Sequence, residues 1–184
     1  MIFKLPGNPK AIELIKSVTD RSCPLDSIQP IRLEELNIRG KPKKLCAWCA
    51  VVEMLHGNQK YCSKDCSSSA EASFYPQKEE SLRFLLMRQD WKCAHCLFDY
   101  RPFMEAIVEK DRKRYGGAFE FENLPWHYFK RLKDQVPPNK KPEVDHILAI
   151  SKGGQSLGLD NHQAICYDCH KTKTKKDLSG KRTK

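Results

Sequence analysis

The chain has 184 residues, 9 cysteines and a formal net charge of +10 at pH 7. This length fits one compact domain or two small ones and excludes a large multi-lobed enzyme. Its longest apolar runs are far shorter than the ~20 residues that span a bilayer, and residues 1–7 lack the apolar stretch of a signal peptide.

We therefore expect a cytoplasmic protein, or a nuclear one in a eukaryote, that is not secreted and has no membrane partner. The positive charge favours a polyanionic partner, and nucleic acid is the leading candidate. The last fifteen residues hold seven lysines or arginines and one aspartate, whereas residues 145–169 hold three aspartates and one lysine. This arrangement allows a bound cation beside a surface that holds a polyanion. A solvated terminus is the alternative for residues 177–184.

The N-terminal segment, residues 1–45, contains one predicted helix. Its apolar side chains recur at helical spacing: Ile12, Leu14, Ile15 and Val18. Prolines and a glycine interrupt the rest of the segment, and its role stays unknown at the level of sequence.

Eight of the cysteines form four closely spaced pairs, and Cys23 is left over. A gap of two or three residues lets both sulfurs face one point, as tetrahedral zinc requires, and a reducing compartment favours metal over disulfides. Chain order groups the pairs into two structural zinc sites: Cys46, Cys49, Cys62 and Cys66; then Cys93, Cys96, Cys166 and Cys169. We interpret Cys23 as an ordinary thiol, and His56 and His95 as non-ligands because each site already has four sulfurs.

Several helices are predicted between the cysteine pairs. The Ser-rich run at residues 67–77 is either a linker or a short helix, and residues 79–91, 102–115 and 124–136 show helical spacing of apolar side chains. The aromatic stripe in the last of these indicates core packing. The second carries a basic cluster that either clamps DNA or forms a solvated face: Lys110, Arg112, Lys113 and Arg114.

Residues 143–176 hold the densest set of chemically active side chains. Residues 143–148 alternate like a strand, so that Asp145 and His146 point to opposite faces. A glycine-containing turn and a second short strand at residues 163–166 follow. The pair Cys166 and Cys169 then begins a helix, which predicts the order strand, loop, strand, helix.

This segment resembles the HNH, or ββα-metal, nuclease motif. The resemblance is carried by residues in matching order and spacing: Asp145, His146, Asn161, Cys166, Cys169 and His170. The preceding pair at residues 93–96 resembles that of zinc-bearing members. Residues 61–66, followed by a long insert, are similar to the HNH nuclease tail of zinc-finger, Ran-binding-domain annealing helicases and to stand-alone phage and bacterial HNH nucleases.

The resemblance implies an α+β fold, with a small zinc-stabilised ββα-metal core, added helices and an N-terminal zinc knuckle. The cysteine spacing places a four-cysteine zinc knuckle and linker at residues 46–78, after the N-terminal segment. The HNH nuclease domain would occupy residues 79–176, with a helical insert at residues 97–142. Residues 177–184 would be a basic tail.

The same resemblance implies a metal-dependent DNA endonuclease that hydrolyses phosphodiester bonds and nicks one strand per active site. Asp145 and His170 would hold one catalytic divalent ion, for which Mg²⁺ and Mn²⁺ are the first candidates. His146 would be the general base, and Asn161 would brace the loop and orient it. Phosphate contacts would come from lysines on the last helix: Lys171, Lys173, Lys175 and Lys176.

Some alternatives stay open. His162, where the family usually has an apolar residue, is either an additional ligand or a partly buried histidine. The DNA could be duplex or branched, and a homodimer would supply two active sites for double-strand cutting. The competing function is a non-catalytic, zinc-stabilised nucleic-acid-binding or adaptor protein.

Overall fold

The computed structural model describes residues 3–17, 45–51, 60–76, 79–116 and 124–179. Cys23, His56 and residues 180–184 lie outside these ranges. The described part contains six α-helices and two β-strands: α1 Pro9–Ser17, α2 Lys64–Phe74, α3 Glu79–Arg88, α4 Arg101–Tyr115, α5 Trp126–Gln135, β1 Pro142–His146, β2 His162–Cys166 and α6 Tyr167–Ser179. Within these ranges, no helix combines the length and the apolar character needed to cross a membrane.

The larger of two hydrophobic cores lies between α3, α4, α5 and the sheet. The apolar positions that predicted these helices supply it, and they are buried: Leu82, Leu85, Leu86, Ile107, Val108, Phe129 and Leu132. The ring of Trp91 stacks on that of Phe129 at 5.7 Å between centroids. An ion pair joins α4 to α5, because Arg131 Nη2 donates to Asp111 Oδ1 at 3.0 Å. The described part of this stripe, Phe129 with Leu132, is therefore core, as expected.

A smaller core joins α1, residues 45–51 and α2. The indole Nε1 of Trp48 donates to the Lys4 carbonyl at 2.6 Å, and Asn8 Nδ2 donates to the Ala47 carbonyl at 2.8 Å. Residues 67–74 of the Ser-rich run belong to a helix, α2, and Ser63 caps it by accepting from the Cys66 N–H at 3.2 Å. Leu157, from the segment between β1 and β2, is also buried in this core. The N-terminal elements thus support the loop that follows β1.

The sheet has two antiparallel strands, with Asp145 opposite Gln163 and His146 opposite His162. A two-stranded sheet is marginal by itself, and here the outer edge of β2 is covered. The side chain of Gln89 accepts from the Ala164 N–H at 2.7 Å and donates to its carbonyl at 2.8 Å. This small sheet within a helical, cysteine-bearing chain confirms the predicted α+β fold class.

Candidate active site and zinc centres

The structure brings each predicted cysteine quartet together, with the four sulfurs of each within 4.8 Å of one another. Cys49 Sγ and Cys62 Sγ are 3.7 Å apart, and Cys96 Sγ and Cys166 Sγ are also 3.7 Å apart. Four sulfurs at about 2.3 Å from a tetrahedral zinc ion lie about 3.8 Å from each other, whereas disulfide sulfurs lie about 2.0 Å apart. Both quartets could therefore hold structural zinc. His95 is exposed and belongs to neither quartet.

The electrostatics of the two quartets differ. Burial raises the pKa of Cys66 in the first quartet to about 12, so its thiol ionises only when a cation offsets the charge. Burial also acts to raise the pKa of Cys93 in the second quartet, but backbone N–H groups outweigh it and lower that pKa to about 7. One of these donors is the N–H of Cys166, at 3.3 Å from the Cys93 sulfur. Burial raises the pKa of Cys166 and Cys169 in the same quartet, so Cys93 is the thiol that distinguishes it, and both quartets need a cation to ionise fully.

A second group of polar side chains lies where β1 faces α6. His170 Nδ1 is 2.5 Å from Glu143 Oε2, and His170 Nε2 is 3.7 Å from Asp145 Oδ1. Two donors at about 2.1 Å from one divalent ion are at most about 4.2 Å apart, so these two atoms fit a shared ion. A carboxylate on the other nitrogen is the usual way of orienting a metal-binding imidazole.

The sequence patterns did not single out Glu143. It stands two residues before Asp145 on β1, and residues two apart on a strand share a face. That spacing was the available signal, but the partner on α6 is twenty-seven residues further along the chain. Only the folded arrangement joins the two.

The four lysines of α6 are not equivalent. Lys171, Lys175 and Lys176 are exposed. The Nζ atom of Lys173 lies 3.0 Å from Asp145 Oδ2 and its side chain is 15% exposed. Lys173 is thus paired within the site, whereas the other three lysines face solvent.

The imidazole of His146 is half-buried at the end of β1, and its Nε2 atom is buried without a hydrogen-bond partner among the described residues. Burial lowers its pKa, and the charge of Lys173 acts in the same direction, while Asp145 opposes both. The ring is therefore neutral near pH 7. Its neighbour is His162, at 4.4 Å between ring centroids.

His162 is fully buried, and neither ring nitrogen has a hydrogen-bond partner in the part of the chain that the structure describes. Burial, and then the adjacent His146, lower its pKa to about 3, against the Gly158 backbone, which lies near enough to act in the opposite direction without forming a well-aligned hydrogen bond. The structure thus shows a fully buried His162, where the sequence offered a partly buried histidine as one of its two roles.

We expect His162→Leu to stabilise the protein. The substitution removes two unpaired buried nitrogens, which should raise the free energy of unfolding at pH 7.5 by about 1–3 kcal/mol. The gain in the free energy of unfolding should grow below pH 6.5. The unfolded wild type then binds a proton on His162, whereas the folded wild type does not bind this proton until about pH 3. Urea unfolding at pH 7.5 and 5.5 measures both effects, with His127→Leu at an exposed histidine as control. A pH dependence unchanged by His162→Leu would contradict this account.

Asn161 fixes the backbone that follows His146. Its side chain accepts from the Leu148 N–H at 2.9 Å, and it donates to the carbonyls of Leu148 at 2.9 Å and Gln155 at 2.8 Å. Gly154 lies against this arrangement, where a β-carbon would collide with the Leu148 carbonyl oxygen. The loop geometry therefore depends on one amide side chain and on one glycine.

Comparison with known proteins agrees with this geometry. Residues 133–176 match the family model described as HNH endonuclease. Residues 133–176 therefore form an HNH domain. The chain is also similar to the Mus musculus protein named DNA annealing helicase and endonuclease ZRANB3, with 25% identity over 166 residues. No solved structure matches the chain.

The HNH match begins near the end of α5 and covers β1, β2 and most of α6. The similarity to the mouse protein is wider, because it covers 83% of this chain, but the chain spans only 15% of that protein. The first cysteine quartet lies outside the HNH match, whereas Cys166 and Cys169 of the second lie inside it. The second quartet therefore joins the HNH domain to residues 93–96.

Proposed function

We propose that this protein is a metal-dependent DNA endonuclease that hydrolyses phosphodiester bonds and nicks one strand per active site. The observation that carries the proposal is the pairing of two functions on adjacent residues of β1. Asp145 faces His170 at 3.7 Å, as a metal ligand requires, and His146 presents a neutral imidazole from the next position. Nucleic acid is the substrate that an HNH domain implies.

Asp145 and His170 would hold the catalytic divalent ion, and the donor set of one carboxylate and one imidazole suits Mg²⁺ or Mn²⁺. When bound, such an ion polarises the phosphoryl group and stabilises the leaving oxygen. His146 accepts the proton of the attacking water. Because its Nε2 atom is buried, the proton is taken up at Nδ1. Asn161 keeps the following loop in place through its three hydrogen bonds.

The DNA backbone would lie along the exposed lysines of α6, beside His170. Lys171, Lys175 and Lys176 offer three charges to phosphates without reading the sequence. The alternative surface on α4 is less favourable, because Arg112 and Lys113 lie 3.0 Å and 3.6 Å from Glu109. We therefore place the phosphates on α6 and treat α4 as a solvated face.

A non-catalytic adaptor would account for the zinc quartets and the positive charge. It gives no reason for the half-buried imidazole of His146 beside the carboxylate of Asp145. It also does not explain why Asp145 faces His170, whose other ring nitrogen contacts Glu143. The mouse relative is itself named as an endonuclease. Both points favour the enzyme.

Plasmid nicking tests the proposal. Zinc-loaded protein in buffer free of other divalent ions should leave supercoiled DNA intact, and added Mg²⁺ or Mn²⁺ should convert it to the open circle. Linear product that appears only after open circle indicates one cut per encounter. The proposal fails if supercoiled, single-stranded and branched DNA all stay uncut with either ion and with Ni²⁺ or Co²⁺.

A further inference from the structure

We infer that Lys173 is a positioning residue that occupies one carboxylate oxygen of Asp145 and leaves only the other for the catalytic ion. This inference rests on the proposed function. Lys173 Nζ lies 3.0 Å from Asp145 Oδ2, whereas Oδ1 is the oxygen that faces His170 Nε2, at 3.7 Å. The two side chains are 15% and 12% exposed, so water competes little for this pair.

Lys173 is held in place from its other side by residues that are not metal ligands. Its Nζ atom also lies 3.0 Å from Asp177 Oδ2, one turn further along α6. Asp177 in turn pairs with Lys152, at 2.7 Å, from the loop that follows β1. The ion pairs of Lys173 with Asp145 and with Asp177 thus fix its ammonium group before any ion binds. The ion pair of Asp177 with Lys152 ties α6 to the loop that follows β1.

This arrangement has two consequences for the ion. A carboxylate with one oxygen already occupied binds through a single oxygen, which leaves more coordination positions for water and phosphate. A fixed positive charge close to the site also repels a divalent cation and weakens its binding. Lys173 therefore lowers the affinity of the protein for the ion and leaves more of the ion's coordination positions open.

Lys173→Met should therefore bind Mn²⁺ more tightly while cutting DNA more slowly. We expect the dissociation constant for Mn²⁺ to fall about tenfold, as for removal of one charge a few ångströms from a divalent ion in a high-dielectric surrounding. The rate of nicking at saturating Mn²⁺ should fall at least about tenfold, because the ion loses open positions. Lys173→Arg keeps the charge, and its Mn²⁺ affinity should stay within about threefold of wild type.

The measurement is a titration of zinc-loaded protein with Mn²⁺ in the absence of DNA, with free Mn²⁺ followed by electron paramagnetic resonance. Lys175→Met is the matched control, because Lys175 is an exposed lysine of the same helix. Its Mn²⁺ affinity should stay within about twofold of wild type, since its charge is exposed to solvent and screened.

Equal or weaker Mn²⁺ binding by folded Lys173→Met would overturn the inference. Folding is checked by melting temperature and zinc content, and if Lys173→Met does not fold, Lys173→Gln decides by the same criterion. A wild type that never cuts DNA would refute the proposed function alone. The DNA-free titration would then still decide whether Lys173 limits metal binding.

Discussion

His146→Ala is expected to lower the rate of DNA nicking by about 10²–10⁴-fold, the usual contribution of a general base. The half-buried imidazole of His146 follows Asp145 directly on β1, and its lowered pKa keeps it neutral and able to accept a proton at pH 7. The two cysteine quartets do not involve it. The variant should therefore keep its zinc and lose its DNA-nicking activity.

Single-turnover nicking at saturating Mg²⁺ measures the effect, because it isolates the chemical step from DNA binding. His127→Ala provides the control, as the same substitution at an exposed histidine of α5. Melting temperature and zinc content must match wild type, since the alanine leaves space beside His162. A folded His146→Ala that nicks within tenfold of wild type would remove His146 from the mechanism.

The local features of the fold were predictable from the sequence. Strand alternation, the paired cysteines and the apolar spacing of α3 to α5 depend on residues a few positions apart, and the structure places β1, β2 and the three helices where these patterns indicate. The grouping of cysteines by chain order also agrees with the two quartets. Metal ligation restricts the geometry so strongly that spacing alone carries much of the information.

The contacts between distant elements were not predictable in this way. Glu143 contacts His170 and Lys173 contacts Asp145, although both look like ordinary charged surface residues in the sequence. The burial of His162 depends on packing against His146 across the sheet, and a polar residue at that place suggested partial exposure. Each of these features arises from tertiary packing, which no local pattern encodes.

The attachment of α6 illustrates the same dependence on long-range contacts. None of the side chains of α6 is fully buried, so hydrophobic packing contributes little to its position. Polar contacts hold it instead, among them the donation of Tyr167 N–H to the Lys141 carbonyl at 3.0 Å and of Asn139 Nδ2 to Asp168 Oδ2 at 2.9 Å. The second quartet adds Cys169, at the start of the helix. Zinc in that quartet would therefore be the main anchor of the helix that carries His170.

Cys169→Ser is accordingly expected to release α6 and to lower nicking at least about 100-fold, since displacement of a ligand by about 1 Å suffices for such a loss. Metal analysis should give about two zinc ions per chain for wild type and about one for the variant. Amide hydrogen exchange should show faster exchange across α6, while α3 to α5 stay protected by their own core.

Cys49→Ser is the matched substitution in the first quartet and separates the two zinc sites. It should also lose about one zinc ion, but faster exchange should appear in α1 and α2, which pack in the smaller core, and not in α6. Unchanged protection of α6 in Cys169→Ser, after loss of the zinc ion, would show that the ion pairs of Glu143 and Lys173 hold the helix without the metal. The Glu143 pair is more than a third exposed and therefore weak, and Lys173 adds one ion pair to Asp145, whereas zinc would link Cys169 to three other cysteines. We therefore expect the zinc ion to dominate.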